Sequence, residues 1–233
     1  MAPDTPQRGT GQQPICANPA SSRYTHVVWD WNGTLLDDLA VCMGVINEVL
    51  RTRNLPQLQS VSAYQAAFCF PISAYYTNLG FDFALESYDS LATAYMHGYD
   101  QQSQHCTLFD DVQQTLSAVA ERGITQVVLS ASERGRLGSQ LTAQRVLHYF
   151  ETYLGLNDVY ANTKVDIGRQ WLEAQGSTPI SALMVGDTLH DFDVAEKLGF
   201  DCVLVATGHQ NKDALKETGC PVLESVSEVL MYL

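Results

Sequence analysis

The chain has 233 residues, of which 45% are hydrophobic, and its 26 acidic against 13 basic side chains give a formal net charge of -13. A charge of this size and sign repels polyanions, so no nucleic acid partner is expected. The longest apolar runs have the length of buried strands and fall far short of a membrane span, so no membrane partner is expected either. The length suits one full-sized domain with a smaller insert.

The N-terminal segment differs in composition from the rest of the chain. Residues 1–22 are rich in Pro, Gln, Gly, Ser and Thr and lack the apolar centre of a secretory signal, so we interpret them as a flexible extension. The six cysteines form no C-x-x-C pair and have no histidine at zinc-ligand spacing, which favours buried thiols in a reducing compartment. These observations predict a cytoplasmic protein.

The first regular element is a short apolar run at residues 26–31, followed by the turn-forming pair Asn32 and Gly33. This pattern predicts a buried strand that ends in a loop. Asp30 then lies at the carboxyl end of the strand.

Residues 38–105 carry only helical patterns. Apolar side chains recur every three or four residues from position 39, and Asp37 or Asp38 is placed to cap that helix. Further helices are predicted over residues 61–68, 72–79 and 86–101. We therefore predict an α-helical cap domain over residues 38–105, inserted into a core of residues 23–37 and 106–233.

From residue 110 onward, helical and strand patterns alternate. Helices are predicted over residues 110–122, 134–147, 165–174 and 189–198, and strands over residues 126–129, 182–185 and 202–205. Such alternation implies an α/β fold, a doubly wound parallel sheet with helices on both faces. Ligands bind such sheets beyond the carboxyl ends of the strands, where Asp30, Ser130 and Asp187 are predicted to converge.

Four segments resemble the motifs of the haloacid dehalogenase superfamily. The sequence DWNGTLLD at 30–37 resembles the first motif, in which Asp-x-Asp-Gly-Thr follows the first strand. The apolar strand that closes on Ser130 resembles the second motif, and Lys164 at a helix start is similar to the lysine of the third. The sequence VGDTLHD at 185–191 resembles the fourth motif in its phosphoglycolate phosphatase-like form. The resemblance spans residues 25–230 and places the α-helical cap of those members between the first two motifs.

The resemblance implies a magnesium-dependent phosphatase that acts on a small phosphorylated metabolite. Asp30 would be the nucleophile that forms an aspartyl phosphate. Mg²⁺ prefers carboxylate and carbonyl oxygens, and Asp30, Asp187 and the backbone carbonyl of Asn32 would supply them. Asp191 would act through a metal-bound water or by orienting Lys164, although an acidic residue at a helix start can also be a simple electrostatic cap.

The phosphoryl group would be bound by neutral and cationic donors. The hydroxyl of Ser130 and the ammonium of Lys164 can donate to phosphoryl oxygens and offset their charge. The backbone N–H groups of Trp31, Asn32 and Ala131 can also face the phosphate, because loops after such strands point their amides at the site.

The chain departs from the family at Asn32, which replaces the second aspartate of the first motif. In the family that aspartate protonates the leaving alcohol and later activates water, whereas a carboxamide cannot exchange a proton at neutral pH. Either the enzyme favours leaving groups that are stable as anions, or His190 or a water molecule transfers the proton, or the domain binds phosphate without turnover. A non-catalytic phosphate-binding or regulatory domain is therefore one alternative, and a phosphotransferase is another.

The predicted cap is rich in aromatic residues and poor in basic ones. We interpret the aromatic run at 68–83 as a core between the cap helices, some of whose rings could still line the substrate pocket. Arg51 and Arg53 are the only Lys or Arg residues of the cap, so the sequence does not imply a strongly anionic substrate. Both a monomer and a homodimer are compatible with the sequence.

Overall fold

The computed structural model describes residues 24–156 and 163–233, and the predicted extension at 1–22 lies outside them. The strands are β1 His26–Trp29, β2 Leu36–Asp37, β3 Thr107–Leu108, β4 Thr125–Glu133, β5 Thr152–Leu156, β6 Ala182–Gly186, β7 Asp201–Val205 and β8 Val222–Leu223. The helices are α1 Leu39–Thr52, α2 Val61–Ala67, α3 Ile72–Asn78, α4 Tyr88–Gln102, α5 Val112–Glu121, α6 Arg134–Ala143, α7 Lys164–Ala174, α8 Leu189–Leu198 and α9 Lys212–Lys216. Short 3-10 segments are Ser103–His105, Leu147–Tyr149 and Val226–Met231. No helix in the two described ranges is long and apolar enough to cross a membrane.

Six strands form one parallel sheet in the order β5-β4-β1-β6-β7-β8. In the middle of the sheet, His26 of β1 is level with Thr125 of β4 on one side and with Ala182 of β6 on the other. The direction of winding reverses beside β1, and doubly wound sheets bind ligands at such a switch point. The predicted fold class, a doubly wound parallel α/β core, is confirmed.

Both faces of the sheet are buried, which explains the continuous apolar run of β1. Val27 and Trp29 pack on one face with residues of α5 and α6. Val28 packs on the other face with residues of α7 and α8. Successive side chains of a strand point to opposite faces, so this four-residue strand contributes to two hydrophobic clusters.

Residues 38–105, which we call the helical insert, lie between β2 and β3. These two strands pair antiparallel, with Leu36 opposite Leu108, so the chain enters and leaves the insert side by side. The insert has a hydrophobic cluster of its own around Ile46, Leu50 and Tyr64. The helices predicted for this range are present, while the division of the chain into a core and a cap domain stays a prediction.

Parts of the α/β region differ from the sequence expectations. The helix predicted over 134–147 ends at Ala143, because Arg145 has a φ of 59° that a right-handed helix cannot contain. The predicted strand at 126–129 corresponds to β4, which continues to Glu133 after an irregularity in its pairing beyond Leu129. Strands β2, β3, β5 and β8 are not predicted, since two-residue strands show no period and TYLGL mixes polar and apolar residues.

The predicted cap of α1 is wrong. Asp38 occupies the N-cap position but makes no capping hydrogen bond, and Asp37 is exposed in β2. The carboxylate of Asp38 instead accepts hydrogen bonds from the Gly33 N–H at 3.0 Å and from the Tyr99 hydroxyl at 2.8 Å. The side chain therefore binds the loop after β1 and α4 instead of capping the backbone of α1.

Candidate active site

A cavity of about 240 Å³ lies where the carboxyl edge of the sheet faces the helical insert. On the core side it is lined by residues that are predicted for the site from the sequence. These are Asp30, Asn32, Ser130, Ala131, Lys164, Asp187 and Asp191. Residues of all four insert helices line the other side. The structure thus brings the four motif segments together around one cavity.

Asp30 directly follows β1 and is only 7% exposed. Its Oδ1 accepts a hydrogen bond of 2.6 Å from Lys164 Nζ. Burial raises the pKa of Asp30 to about 8, although the Lys164 ammonium opposes the shift. Asp30 is thus a buried carboxyl group whose charged form depends on a neighbouring cation.

Lys164 is the first residue of α7, and it is 3% exposed. Thr163 and Asp166 form a capping box that fixes the backbone at this helix start. Lys164 Nζ donates to Asp191 Oδ1 at 2.5 Å as well as to Asp30. Burial by itself lowers the pKa of Lys164, but the two carboxylates outweigh burial and raise it. The ammonium is therefore charged at neutral pH.

Asp191 lies in the first turn of α8, and both of its oxygens are used within the protein. Oδ2 accepts from the Thr188 N–H at 3.0 Å and from the Thr188 hydroxyl at 2.7 Å, and Oδ1 accepts from Lys164. Burial would raise the pKa of Asp191, but Lys164 holds it below its usual value. The contact with Lys164 supports the predicted role of orienting that lysine. The contacts with Thr188 support the role of a helix cap.

Asp30, Asp187 and Asp191 form a buried acidic cluster in which one oxygen of each lies within 4.8 Å of the others. The Thr34 hydroxyl links two of them, since it lies 3.0 Å from Asp187 Oδ1 and 3.3 Å from Asp30 Oδ2. Burial raises the pKa of Asp187 to about 6. Buried carboxylate oxygens at this spacing are a donor set that fits a hard divalent cation.

Close backbone packing fixes Asp187. Gly33 has a φ of 73°, and a Cβ atom at Gly33 or at Gly208 would collide with the Asp187 carboxylate. The space left by these glycines lets the backbone N–H of His209 donate to Asp187 Oδ2 at 2.6 Å. Glycine is therefore required on both sides of this carboxylate.

Both ends of the Asn32 amide are hydrogen-bonded within the protein. Its Nδ2 donates to Asp38 Oδ2 and to the Tyr99 hydroxyl, both at 2.7 Å. Its Oδ1 accepts from the Ser132 hydroxyl at 2.8 Å. The amide thus connects the core to α4 of the insert.

Asp38 and His209 complete the site, and neither is predicted from the sequence as a functional residue. His209 Nε2 lies 3.4 Å from Asp38 Oδ1, and its Nδ1 lies 2.9 Å from the Tyr64 hydroxyl. Burial would lower the pKa of His209, but Asp38 raises it to about 9. Burial would raise the pKa of Asp38, but His209 holds it below its usual value. The two side chains form a buried ion pair.

A sequence signal for His209 did exist. His209 lies in the loop after β7, whose carboxyl end is at the same edge of the sheet as the ends of β1 and β6. The rule that places Asp30 and Asp187 in the site therefore applies to this loop as well.

The remaining predicted residues contribute in different ways. Ser130 is buried, and its Oγ accepts from the Ser132 N–H at 3.1 Å, which leaves the hydroxyl hydrogen able to donate. Ala131 is exposed at the cavity. The side chain of Trp31 lies in the core, where its indole N–H donates to Gln140 Oε1 at 2.9 Å. The prediction for Trp31 concerns its backbone N–H only.

The aromatic run of the insert divides between core and cavity. Phe68 and Phe70 line the cavity, while Tyr75, Tyr76 and Phe81 are buried in the insert. The Phe70 ring stacks on His190 with a centroid distance of 4.4 Å, and burial lowers the pKa of His190. A role of His190 in proton transfer stays a prediction.

Comparisons with known proteins identify relatives of the whole chain. A family model described as haloacid dehalogenase-like hydrolase matches residues 27–205. A probable phosphatase, IndB from Dickeya dadantii, is 25% identical over 88% of this chain and 91% of that protein. A phosphoglycolate phosphatase from Aliivibrio fischeri is 25% identical over 59% of this chain and 60% of its own length. The solved structure of Mycobacterium tuberculosis protein tyrosine kinase A is 22% identical, with a TM-score of 0.75 over 90% of this chain and 97% of that one.

The fold and the cavity define an α/β protein with an acidic, lysine-containing site at the switch point of a parallel sheet. The chain belongs to the haloacid dehalogenase-like hydrolase family, whose model matches most of its length. The predicted enzyme class, a phosphatase, is confirmed by this family and by the named phosphatases among the relatives. The likeness to the tyrosine kinase A structure shows the shared fold alone.

Proposed function

We propose that the protein hydrolyses a small organic phosphate monoester through an aspartyl phosphate on Asp30, with Mg²⁺ as cofactor. The observation that carries the proposal is the contact of Asp30 with Lys164 at 2.6 Å, both lining a cavity of about 240 Å³. A carboxylate can attack phosphorus when a fixed cation stabilises the charge of the transferring group. Lys164 is held in that position by Asp191 on its other side.

The donors around Asp30 would bind the phosphoryl group. The hydroxyl of Ser130 and the ammonium of Lys164 would donate to phosphoryl oxygens. The backbone N–H groups of Trp31, Asn32 and Ala131 would add neutral donors. Donors fixed by the fold need no reorganisation during the reaction, which is why such sites stabilise transition states.

Asp30, Asp187 and the backbone carbonyl of Asn32 would hold Mg²⁺, and Asp191 would act through a water molecule or through Lys164. A divalent cation at this position neutralises the repulsion between a phosphate dianion and the carboxylates. The close spacing and burial of the three aspartates support this assignment.

The proposed partner is a small phosphorylated metabolite, which the phosphatases among the relatives also suggest. The net charge of -13 argues against a nucleic acid substrate. The cytoplasmic location and the choice between a monomer and a homodimer stay predictions.

The direct test is release of inorganic phosphate from p-nitrophenyl phosphate and from alkyl and sugar phosphates, with Mg²⁺ or with EDTA. We expect Mg²⁺-dependent release, faster for the aryl ester because Asn32 cannot protonate a leaving alcohol. No release from any ester, together with binding of phosphate analogues, would favour the non-catalytic domain. Consumption of the ester with product appearing on an added acceptor would favour the phosphotransferase.

A metal effect on stability follows from the acidic cluster. A saturating concentration of Mg²⁺ should raise the thermal unfolding midpoint by several degrees, because ligand at about 100 times its Kd adds about 2.7 kcal/mol. Asp187→Asn should remove most of this shift, and the exposed Asp193→Asn should keep it. An equal shift in both variants would place the metal elsewhere. Differential scanning fluorimetry with and without EDTA measures all three proteins.

The Mg²⁺-induced rise of the thermal unfolding midpoint should depend on pH. Burial raises the pKa of Asp30 to about 8 and that of Asp187 to about 6, so the metal-free protein retains protons on these groups as the pH falls. A raised pKa stabilises the metal-free protein at low pH, and this stabilisation is lost as the pH rises through the folded-state pKa. Metal must displace those protons, so the Mg²⁺-induced shift should be larger at pH 8.5 than at pH 5.5.

The contacts of Asn32 predict the result of restoring the family's aspartate. Asn32→Asp places a second carboxylate beside Asp38 and removes two donated hydrogen bonds, which should cost about 1–3 kcal/mol of stability without helping turnover of alkyl esters. The reversed pair, Asn32→Asp with Asp38→Asn, keeps one carboxylate and one amide. It should raise the alkyl-to-aryl rate ratio about tenfold or more. Asp38→Asn alone is the control, and an equal rise there would assign the effect to loss of Asp38.

A further inference from the structure

The insert side of the cavity is mostly apolar, apart from Asp38, which is paired with His209. Its lining includes Phe68, Phe70, Ile72, Tyr95 and Met96. The rings of Phe68 and Phe70 are in edge contact, with centroids 5.6 Å apart, and so form a continuous aromatic surface. Neither Arg51 nor Arg53, the two Lys or Arg residues of the insert, lines the cavity. The part of a substrate beyond its phosphate therefore meets hydrocarbon and aromatic surface.

Two of the three tyrosine hydroxyls at the cavity are already engaged by the protein. The Tyr64 hydroxyl contacts His209 Nδ1 at 2.9 Å. The Tyr99 hydroxyl donates to Asp38 Oδ2 at 2.8 Å and accepts from Asn32. With their hydroxyl groups paired, these residues offer a ligand mainly their rings.

The cations at the cavity are paired as well. Lys164 contacts two aspartates, and Arg136 Nε donates to Asp100 Oδ1 at 2.6 Å. The His209 ring lies 3.4 Å from Asp38. Lys164, Arg136 and His209 thus each have a carboxylate of the protein beside them. The fourth basic side chain that lines the cavity in the described ranges is His190, which stacks on Phe70 and whose pKa is lowered by burial. A second anionic group on a substrate would find no cation that is not already paired, and burying it without a partner would weaken binding.

We propose that the substrate is the phosphate ester of an uncharged, apolar alcohol, with an aromatic group packed against Phe68, Phe70 and Met96. This inference rests on the proposed function, because the phosphate end has to lie at Asp30. It predicts discrimination against phosphate esters that carry a carboxylate or several hydroxyl groups.

The test compares benzyl phosphate with 2-phosphoglycolate. Both esters release a primary alcohol, so Asn32 affects them alike. The ratio of their kcat/KM values therefore reports on the apolar wall of the cavity, by which we mean Phe68, Phe70 and Met96. We expect kcat/KM for benzyl phosphate to be about tenfold or more higher in the presence of Mg²⁺. An equal or higher value for 2-phosphoglycolate would overturn the inference and leave the phosphatase proposal standing.

A binding measurement separates this inference from the proposed function. Benzylphosphonate and phosphonoacetate cannot be hydrolysed as phosphate esters, so calorimetric titration compares the same two groups without turnover. Tighter binding of benzylphosphonate by about tenfold supports the apolar wall even if no ester is cleaved. Failure to release phosphate from either ester or from acetyl phosphate would instead contradict the proposed function. Equal or tighter binding of phosphonoacetate contradicts the apolar wall.

A charge placed on the wall supplies a matched comparison. Met96→Lys adds a cation inside the cavity, whereas His97→Lys adds one to the exposed surface of the same helix. We expect Met96→Lys to shift the ratio of the two kcat/KM values toward 2-phosphoglycolate by at least about tenfold, and His97→Lys to leave it unchanged. Similar ratios in both variants would contradict the proposed wall, and the wild-type ratio decides the question if Met96→Lys does not fold.

Discussion

Asp30→Asn should reduce Mg²⁺-dependent phosphate release by at least about 10⁴-fold, because a carboxamide cannot form the aspartyl phosphate. Asparagine has nearly the same shape, and Lys164 keeps its contact with Asp191 at 2.5 Å, so the fold should survive the change. Initial rates on p-nitrophenyl phosphate, together with unfolding curves of both proteins, measure the two effects. Rapid quenching of the wild-type reaction during turnover should also reveal a phosphoryl group on the peptide that contains Asp30.

Asp37→Asn is the matched control for this variant. Asp37 lies in the same segment, but its side chain is exposed in β2 and does not line the cavity. Its turnover should stay within about twofold of the wild type, as expected for a surface change away from the site. If Asp30→Asn retained activity within tenfold of the wild type, another group would have to be the nucleophile.

The core side of the site could be predicted because each residue follows a local signal. Asp30 and Asp187 come directly after short apolar strands, and Lys164 stands at a capped helix start. Parallel strands bring such positions to one edge of a sheet, whatever their separation in sequence. The prediction of convergence at the cavity is therefore a consequence of periodicity and topology together.

The insert side could not be predicted in the same way. The contact of Asn32 with Tyr99 joins residues 67 positions apart, and it depends on how α4 packs over the loop after β1. No periodic pattern encodes that packing. For Asp38, the local rule favours a helix cap, but the buried partners Asn32, Tyr99 and His209 outweigh a capping hydrogen bond that water could replace.

Loss of Lys164 should have the largest effect on stability. Lys164→Met keeps much of the side-chain volume but leaves Asp30 and Asp191 buried without their shared cation. Removing one partner of a buried ion pair costs about 3–5 kcal/mol, and we expect a loss of this size in the free energy of unfolding at pH 7.5 in EDTA. Turnover should also fall by about 10²–10³-fold, since the charge on the transferring phosphoryl group loses its fixed donor. Urea unfolding and phosphate release measure the two losses separately.

The pH dependence distinguishes an electrostatic loss from a packing loss. In the wild type, Lys164 holds the pKa of Asp191 below its usual value, so this pairing stabilises the protein above pH 4 or so and is lost at lower pH. The stability difference between wild type and Lys164→Met should therefore shrink as the pH is lowered from 7.5 toward about 5, where the unpaired carboxylates of the variant take up protons. Lys197→Met, at an exposed position near the end of α8, should cost less than about 0.5 kcal/mol at either pH. A difference for Lys164→Met that did not change with pH would mean that its aliphatic chain, rather than its charge, stabilises the site.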